Sequence, residues 1–496
     1  MVMLFLICFN YSILRNIKDS IVVTAQSSGA EVIPFIKVWV LLPMAILLTL
    51  LFTRLSNRYS QEKVFYLMIS GFLLFFGVFT FIFYPLRDWL HPHQLADTLE
   101  AALPLGFKGL IAMFRNWSFT LFYVICELWG SIVLSVLFWG FANEITQITE
   151  ARRFYSMLGV ISSFAGVVAG MAANYLSNDE SWESTLQILV SVIIVGGCLT
   201  MFTFYWMNKN VLTGVHFASL HASRKEREPK KRKLSIRESL SYLSNSHYLL
   251  CIAVLVICYN LVINLVEIVW KDQLRQLCPS PVEYNRYMNY VTSAVGVVAT
   301  LTSLFMSPLI GRFGWTRTAL ITPAIMLVTS AGFFAFMLFR HDLSVPVLAL
   351  MGTTPLAIAA FFGAAQVCLS KACKYSIFDS TKEMTFIPLE HDCKLKGKAA
   401  IDGVGSRFGK SGGSLIHQGL LMVFGTISMS APYVAVILIL VISGWMVAVR
   451  ALGRQFTAII GESGRAEIGE AQVLPSSGQE SKIPGEVVGG LQPVKA

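Results

Sequence analysis

The sequence predicts an all-α polytopic membrane protein of about twelve transmembrane helices in two six-helix halves. Three observations carry this. Hydrophobic residues make up 55% of the 496 and charged residues only 14%, against about a quarter charged in a soluble domain. Apolar runs of about 20 residues, enough to cross a bilayer as a helix, recur along nearly the whole chain. Lysine and arginine concentrate in alternate connections between those runs, as cytoplasmic loops require.

The clearest runs are Phe35–Phe52, Val64–Tyr84, Thr185–Met207, Leu249–Trp270, Ala319–Phe339 and Tyr433–Val449. The full set of expected spans is 1–24, 35–53, 64–84, 117–141, 156–176, 185–207, 248–270, 288–310, 319–339, 346–370, 404–425 and 430–450. Open sheet edges are not tolerated in lipid, so each is expected to be a helix. With the N-terminus inside, the inner loops carry 22 lysines and arginines and the outer loops 6. Both termini are therefore expected in the cytoplasm, in a cell inner membrane. No cleavable signal peptide is expected, because Met1–Phe9 is apolar from the start. A first span ordinarily follows a short cytoplasmic segment, so one is expected ahead of Met1.

The longest polar interruption, 208–246, contains Arg224, Lys225, Arg227, Lys230, Lys231, Arg232 and Lys233 and divides the spans six and six. It reads as a solvated cytoplasmic linker between an N-terminal half, 1–207, and a C-terminal half, 247–452. The halves resemble each other. Gly159–Phe164 in the fifth span parallels Gly403–Phe408 in the eleventh, and Asn10-Tyr11 with Lys18-Asp19 parallels Tyr259-Asn260 with Lys271-Asp272. Parallel six-helix repeats are the major-facilitator-like plan, with a substrate site near midplane. The tail, 453–496, becomes rich in Gly, Pro, Ser and Glu from Glu462 and is expected to be disordered.

The formal charge of +10 could suggest nucleic acid, but its loop placement fits membrane topology, so no nucleic acid partner is expected. The nine cysteines are odd in number, contain no CxxC and fall mostly within apolar runs. They read as small buried residues rather than a disulfide or metal framework. No HExxH or Ser/His/Asp set can be assembled from helical positions, so neither an enzyme nor a cofactor is expected.

Ionisable side chains inside a span are costly and mark functional positions. Tyr11, Arg15 and Lys18 follow i, i+4, i+7 spacing on one helical face, with Asp19 one turn beyond Arg15. Such a stripe suits an anionic ligand carrying an aromatic or polar group. Glu127 sits mid-span, and its nearest sequence cation, Arg115, is too distant, so its partner must come from another helix. Glu267 has Lys271 one turn on as a local counter-ion. Arg407 and Lys410 share a face of the eleventh span, with His417 two turns further. There, Gly409, Gly412 and Gly413 would permit close helix approach. Gly409-Lys410-Ser411 mimics the end of a P-loop, but Val404 stands where that motif requires glycine. Lys382 and Glu383, at the cytoplasmic end of the tenth span, suit a gate or an anion contact, or an ordinary inner loop. Arginine and lysine in such a lining favour phosphate or carboxylate substrates.

Several segments together are more specific. These are Asn10–Asp19 with Ser28–Lys37, Tyr84–Asp88, Glu127–Ser131, Phe138–Glu144, Ile263–Glu267, Phe378–Met384, Lys396–Asp402 and Gly409–Gly413. They resemble the non-mitochondrial ATP/ADP translocases, the nucleotide transporters of obligate intracellular bacteria and plastids, from the first span to about Ala451. The resemblance implies exchange of external ATP for internal ADP, in some members with phosphate, by a monomer in a lipid bilayer. It also leaves open proton-coupled net import of several nucleotides, or transport of another phosphorylated anion. The family's two functional glutamates match Glu127 and Glu267. One of its lysines matches Lys18, and the other falls between Lys382 and Lys410, with Lys382 preferred. A receptor without flux, a channel and an anchored hydrolase are the competing classes.

Overall fold

The computed structural model describes residues 1–145, 148–177, 181–210, 246–389, 397, 398, 401 and 405–473. Every regular element among them is a helix. Nine of these helices are long and apolar enough to cross a membrane. They are Val32–Arg58, Gln61–Phe83, Trp117–Ala142, Met157–Leu176, Trp182–Asn210, His247–Leu277, Arg312–Leu338, Pro355–Thr385 and Ile427–Ile459. The other three expected spans are also helical. The first is Val2–Val23, the eighth begins at Pro281, and the eleventh is Ser406–Phe424. Two of the three carry ionisable residues of the predicted site, which makes them less apolar.

The eighth and ninth spans form one helical stretch, Pro281–Leu338, broken at Gly314, where φ is 73° and ψ 170°. That backbone region is open to glycine and strained for other residues. The tenth span departs from its expected range of 346–370. A short helix, Ser344–Met351, ends on Gly352 at φ 63°, and the spanning helix restarts at Pro355, where Thr354 caps Ala357 N–H at 3.3 Å. It then runs on to Thr385, because the cations after 370 sit inside the bundle rather than ending the helix. The last helix also outruns expectation. It continues to Val473, so 453–473, expected as disordered tail, is helical. This stretch includes Ala458, Glu462, Ala466 and Glu467, all good helix formers. The basic run 224–233, most of Lys394–Asp402 and the tail beyond 473 lie outside the described residues.

The second span shows why lipid is required. None of the residues from Leu42 to Arg58 is buried, and Ile46, Leu47 and Leu50 all project outward. An apolar surface this continuous belongs in hydrocarbon. Inward faces pack the first span against the fourth, fifth and sixth, the fifth against the eighth, and the seventh against the tenth and eleventh.

Glycine contacts set the closest approaches. A Cβ on Gly409 would stand 2.7 Å from Asn260 Cβ and 2.8 Å from Ile257 O, and one on Gly413 2.8 Å from Asn264 Cβ. Gly412 faces open space by comparison, with its nearest neighbour at 4.0 Å. Gly409→Val should therefore lower thermal stability by about 1–3 kcal/mol, the usual cost of overpacking, while Gly412→Ala should not. Thermal unfolding of both purified variants checks this.

Between the third and fourth spans the chain forms a folded cap rather than a plain loop, with helices His93–Ala102 and Lys108–Arg115. Arg115, 1% exposed, clamps them by pairing with Asp97 at 2.6 Å and Glu100 at 2.8 Å.

Candidate functional site

Lys18 and Asp19 lie near the end of the first span, and each is 1% exposed. Burying a charge costs several kcal/mol unless it is paired, and both are. Lys18 Nζ lies 2.9 Å from Asp19 Oδ1 and 3.0 Å from Glu127 Oε1 of the fourth span. It also sits over the Tyr123 ring, 3.9 Å from the centroid. The second oxygen of Asp19 accepts from Lys271 Nζ of the seventh span at 2.9 Å. Lys271 in turn is 3.3 Å from Glu267 Oε1, one turn back. The result is a continuous chain of charges, Glu127–Lys18–Asp19–Lys271–Glu267. Three carboxylates alternate with two ammonium groups, and the Asp19–Lys271 link joins the two halves.

Hydrogen bonds and close backbone contacts reinforce that junction. Asn16 Nδ2 donates to Asn289 Oδ1 at 2.7 Å, and Thr292 Oγ1 donates to Asn16 Oδ1 at 3.1 Å. Lys37 of the second span donates to Asn264 of the seventh at 2.9 Å. Gln418 of the eleventh donates to Pro34 O of the second at 2.8 Å. Gly170 and Gly296 bring the fifth and eighth spans into backbone contact, since a Cβ on Gly170 would stand 2.5 Å from Asn289 O and one on Gly296 2.6 Å from Ser163 O. These contacts lie toward the end of the bundle where the first, seventh and eleventh spans finish and the second and eighth begin.

The predicted residues divide into groups. Tyr11 and Lys18, seven residues apart, both face the fourth span, and Tyr11 packs on Gly130, where a Cβ would stand 2.7 Å from its ring. Arg15 turns toward the eighth span instead and donates to Thr292 at 3.4 Å. Glu127 takes its cation from another helix, as its isolation in sequence requires. Glu267 has its local partner, although that lysine is shared with Asp19. Lys410 and Arg407 are exposed on the eleventh span, and the charged neighbours of Lys410 are Lys374, Glu127 and Arg407. Lys382 is not brought to the chain of charges. It pairs with Glu383 at 3.6 Å and lies about 12 Å beyond Lys374 at 1.5 Å rise per residue.

Three cations and one phenol that the sequence reading does not single out join this group, Lys37, Lys371, Lys374 and Tyr123, and Lys271, read as the counter-ion of Glu267, also reaches Asp19. Lys37 sits inside an apolar run, as Glu127 does, and that placement is its signal in the sequence. Lys371 and Lys374 were hidden by the early end assigned to the tenth span. Wide π-helical turns occur beside several of these side chains, at Ile36–Leu41, Gly130–Phe138 and Lys374–Phe378, a feature frequent at functional sites. Among the described residues no group of three or more His, Cys, Asp or Glu could hold a metal ion.

Known proteins resemble this chain in both fold and sequence. A bacterial homologue of the iron transporter ferroportin, in its inward-facing state, superposes with a TM-score of 0.56 at 12% identity, covering 91% of this chain and 97% of that one. The xylose transporter XylE from E. coli, inward open, gives 0.52 at 14% identity, with 91% and 97% covered. At these identities the likeness is one of fold, that of major-facilitator-like transporters. Sequence likeness is far closer. ADP,ATP carrier protein 1 of Chlamydia muridarum (strain MoPn / Nigg) is 47% identical over 92% of this chain and 87% of its own length. ADP,ATP carrier protein 1 of Chlamydia pneumoniae is 45% identical over 92% and 90%, and the chloroplastic ADP,ATP carrier protein 2 of Arabidopsis thaliana is 41% identical over 99% and 79%. The family described as TLC ATP/ADP transporter matches residues 1–456. These are transporters rather than enzymes, and with a family match over most of its length the chain belongs to the TLC ATP/ADP transporter family.

Proposed function

We propose that this protein exchanges external ATP for internal ADP across a cell inner membrane, as a monomer with both termini in the cytoplasm. The observation that carries the proposal is the buried chain Glu127–Lys18–Asp19–Lys271–Glu267, which joins the halves by charges that a polyphosphate can replace. Each ammonium group holds carboxylates that a phosphate oxygen can displace, and Arg15, Lys37, Lys371 and Lys410 lie close enough to interact electrostatically with members of the chain. The lysine and arginine asymmetry puts the joined end outside, so this arrangement is closed to the exterior. Alternating access then requires the halves to rock about the midplane, which breaks the Asp19–Lys271 link.

For the second-half phosphate contact, Lys410 replaces Lys382 as the preferred residue, because Glu127 is among its charged neighbours. Tyr11, against Gly130, is positioned to meet the base or ribose. The test is uptake of labelled ATP into proteoliposomes loaded with ADP or with buffer alone. Uptake confined to loaded vesicles is the expected result. Uptake into empty vesicles driven by a proton gradient would replace exchange with net import.

A further inference from the structure

The folded cap between the third and fourth spans touches both halves at the joined end, and it holds them differently. Among the described residues, every hydrogen bond and ion pair it makes stays within the N-terminal half. Lys108 Nζ pairs at 3.5 Å with Glu31 Oε1, just ahead of the second span. Asn116 Nδ2 donates to Gln26 O at 3.2 Å, and His91 Nε2 shares a hydrogen bond with Ser118 Oγ at 2.7 Å. Gly109 lies against the second span, where a Cβ would stand 2.6 Å from both Glu31 O and Phe35 Cδ2.

Its tip meets the C-terminal half by shape alone. The turn Leu105–Phe107 packs on the end of the eleventh span. A Cβ on Gly106 would stand 2.7 Å from Met422 Cα and 2.8 Å from Leu421 O, so the approach needs glycine. The eleventh helix stops at Gly425, where φ is 78°, and a Cβ there would stand 3.1 Å from Leu105 Cβ. Leu421 O already accepts from Gly425 N–H at 2.8 Å. Lifting the tip therefore strands no donor or acceptor, which is the main cost of opening a polar contact. Gln418 and Pro34 are bonded close by, at 2.8 Å, so Gly109 and the tip straddle the place where the second and eleventh spans meet.

We propose that the cap is a strap, anchored to the N-terminal half and seated by Leu105 and Gly106 on the C-terminal half, that holds the outer end shut. This rests on the nucleotide-exchange reading, which requires the halves to part at that end in every cycle. Polar anchors on one side and a seat without directional bonds on the other let the strap release and reseat as one body. The charge chain closes the joined end from within, and the strap closes it by fit.

The test is Leu105→Cys/Gly425→Cys, reconstituted in a cysteine-free background. The 3.1 Å between these Cβ positions is close to the separation of about 3.5–4.5 Å that a disulfide spans. Oxidation with copper phenanthroline should link the pair and lower ATP exchange at least about tenfold, and reductant should restore it. Neither single variant should respond to the oxidant. An absent link, or a linked protein that exchanges at its reduced rate, overturns the strap. A parent protein that carries no ATP counts against the exchange reading instead. For that case, Gly106→Val, which cannot seat, tests the strap without nucleotide. An impermeant thiol reagent added outside should label a cysteine at the buried Ser20 about tenfold faster in Gly106→Val than in its parent. A cysteine at Thr200, equally buried in the sixth span, should stay unlabelled. Equal rates at Ser20, or labelling at both positions, overturn the strap.

Discussion

Lys18→Gln should abolish exchange, reducing it at least about a hundredfold. Lys18 is the only cation between Asp19 and Glu127 in the charge chain, at 2.9 and 3.0 Å, and it lies 1% exposed. Removing one partner of a buried pair costs about 3–5 kcal/mol, because the charges left behind keep their desolvation penalty. At 1.4 kcal/mol per factor of ten, that exceeds two decades in any equilibrium the pair controls. The loss has a structural part and a substrate part, and a second substitution separates them. Lys18→Gln/Glu127→Gln removes one of the stranded carboxylates and should recover thermal stability without recovering transport. Stability and transport rising together in the double variant would reduce Lys18 to a structural counter-ion. Unchanged exchange in the single variant would remove it from the site.

Asp19→Asn should have the second largest effect, and of a different kind. Asp19 accepts from Lys18 of its own half and from Lys271 of the other, both at 2.9 Å. Without its charge the two lysines face each other across the junction, and the halves lose their ionic link. The population open at the joined end should then rise. Ser20, the next residue, is fully buried and donates to Asn285 Oδ1 at 3.4 Å, so Ser20→Cys in a cysteine-free background reports on that opening. An impermeant thiol reagent added outside should label it slowly in the parent and about tenfold faster or more with Asp19→Asn. Equal labelling rates would show that the link does not hold this end closed.

The spans were legible because each is an apolar run of the right length, and even the charged first and eleventh helices are where hydropathy and spacing placed them. The charged residues were legible one at a time, since a lone Glu127 in Ile125-Cys126-Glu127-Leu128 is unusual in any apolar span. Their partnership was not legible. Lys18 and Glu127 are far apart in sequence, and only the packing of the first span on the fourth brings them to 3.0 Å. The burial of Lys371, and the link from Lys271 to Asp19 beyond its expected pairing with Glu267, were not legible for a second reason. Both lysines stand where an apolar run gives way to charge, so each was assigned to the neighbouring loop. Burial in a protein interior, paired or lining a cavity, lets a helix continue past a lysine that lipid would have expelled. The same substitution of protein for lipid explains why the tenth helix reaches Thr385 rather than stopping at 370.

The wide turns in the fourth span bear on how this protein tolerates changes of length. In Gly130–Phe138 the backbone bonds reach five residues rather than four, so this stretch holds more residues than its length along the axis needs. A single-residue deletion there can be absorbed by tightening one turn to ordinary pitch, leaving Glu127 and Phe141 on their present faces. The same deletion in the regular helix Trp182–Asn210 rotates everything beyond it by about 100°, one residue's share of a 3.6-residue turn. Shortened relatives should therefore have lost residues from the loose segment, and a deletion scan of the fourth span should find its permissive window there.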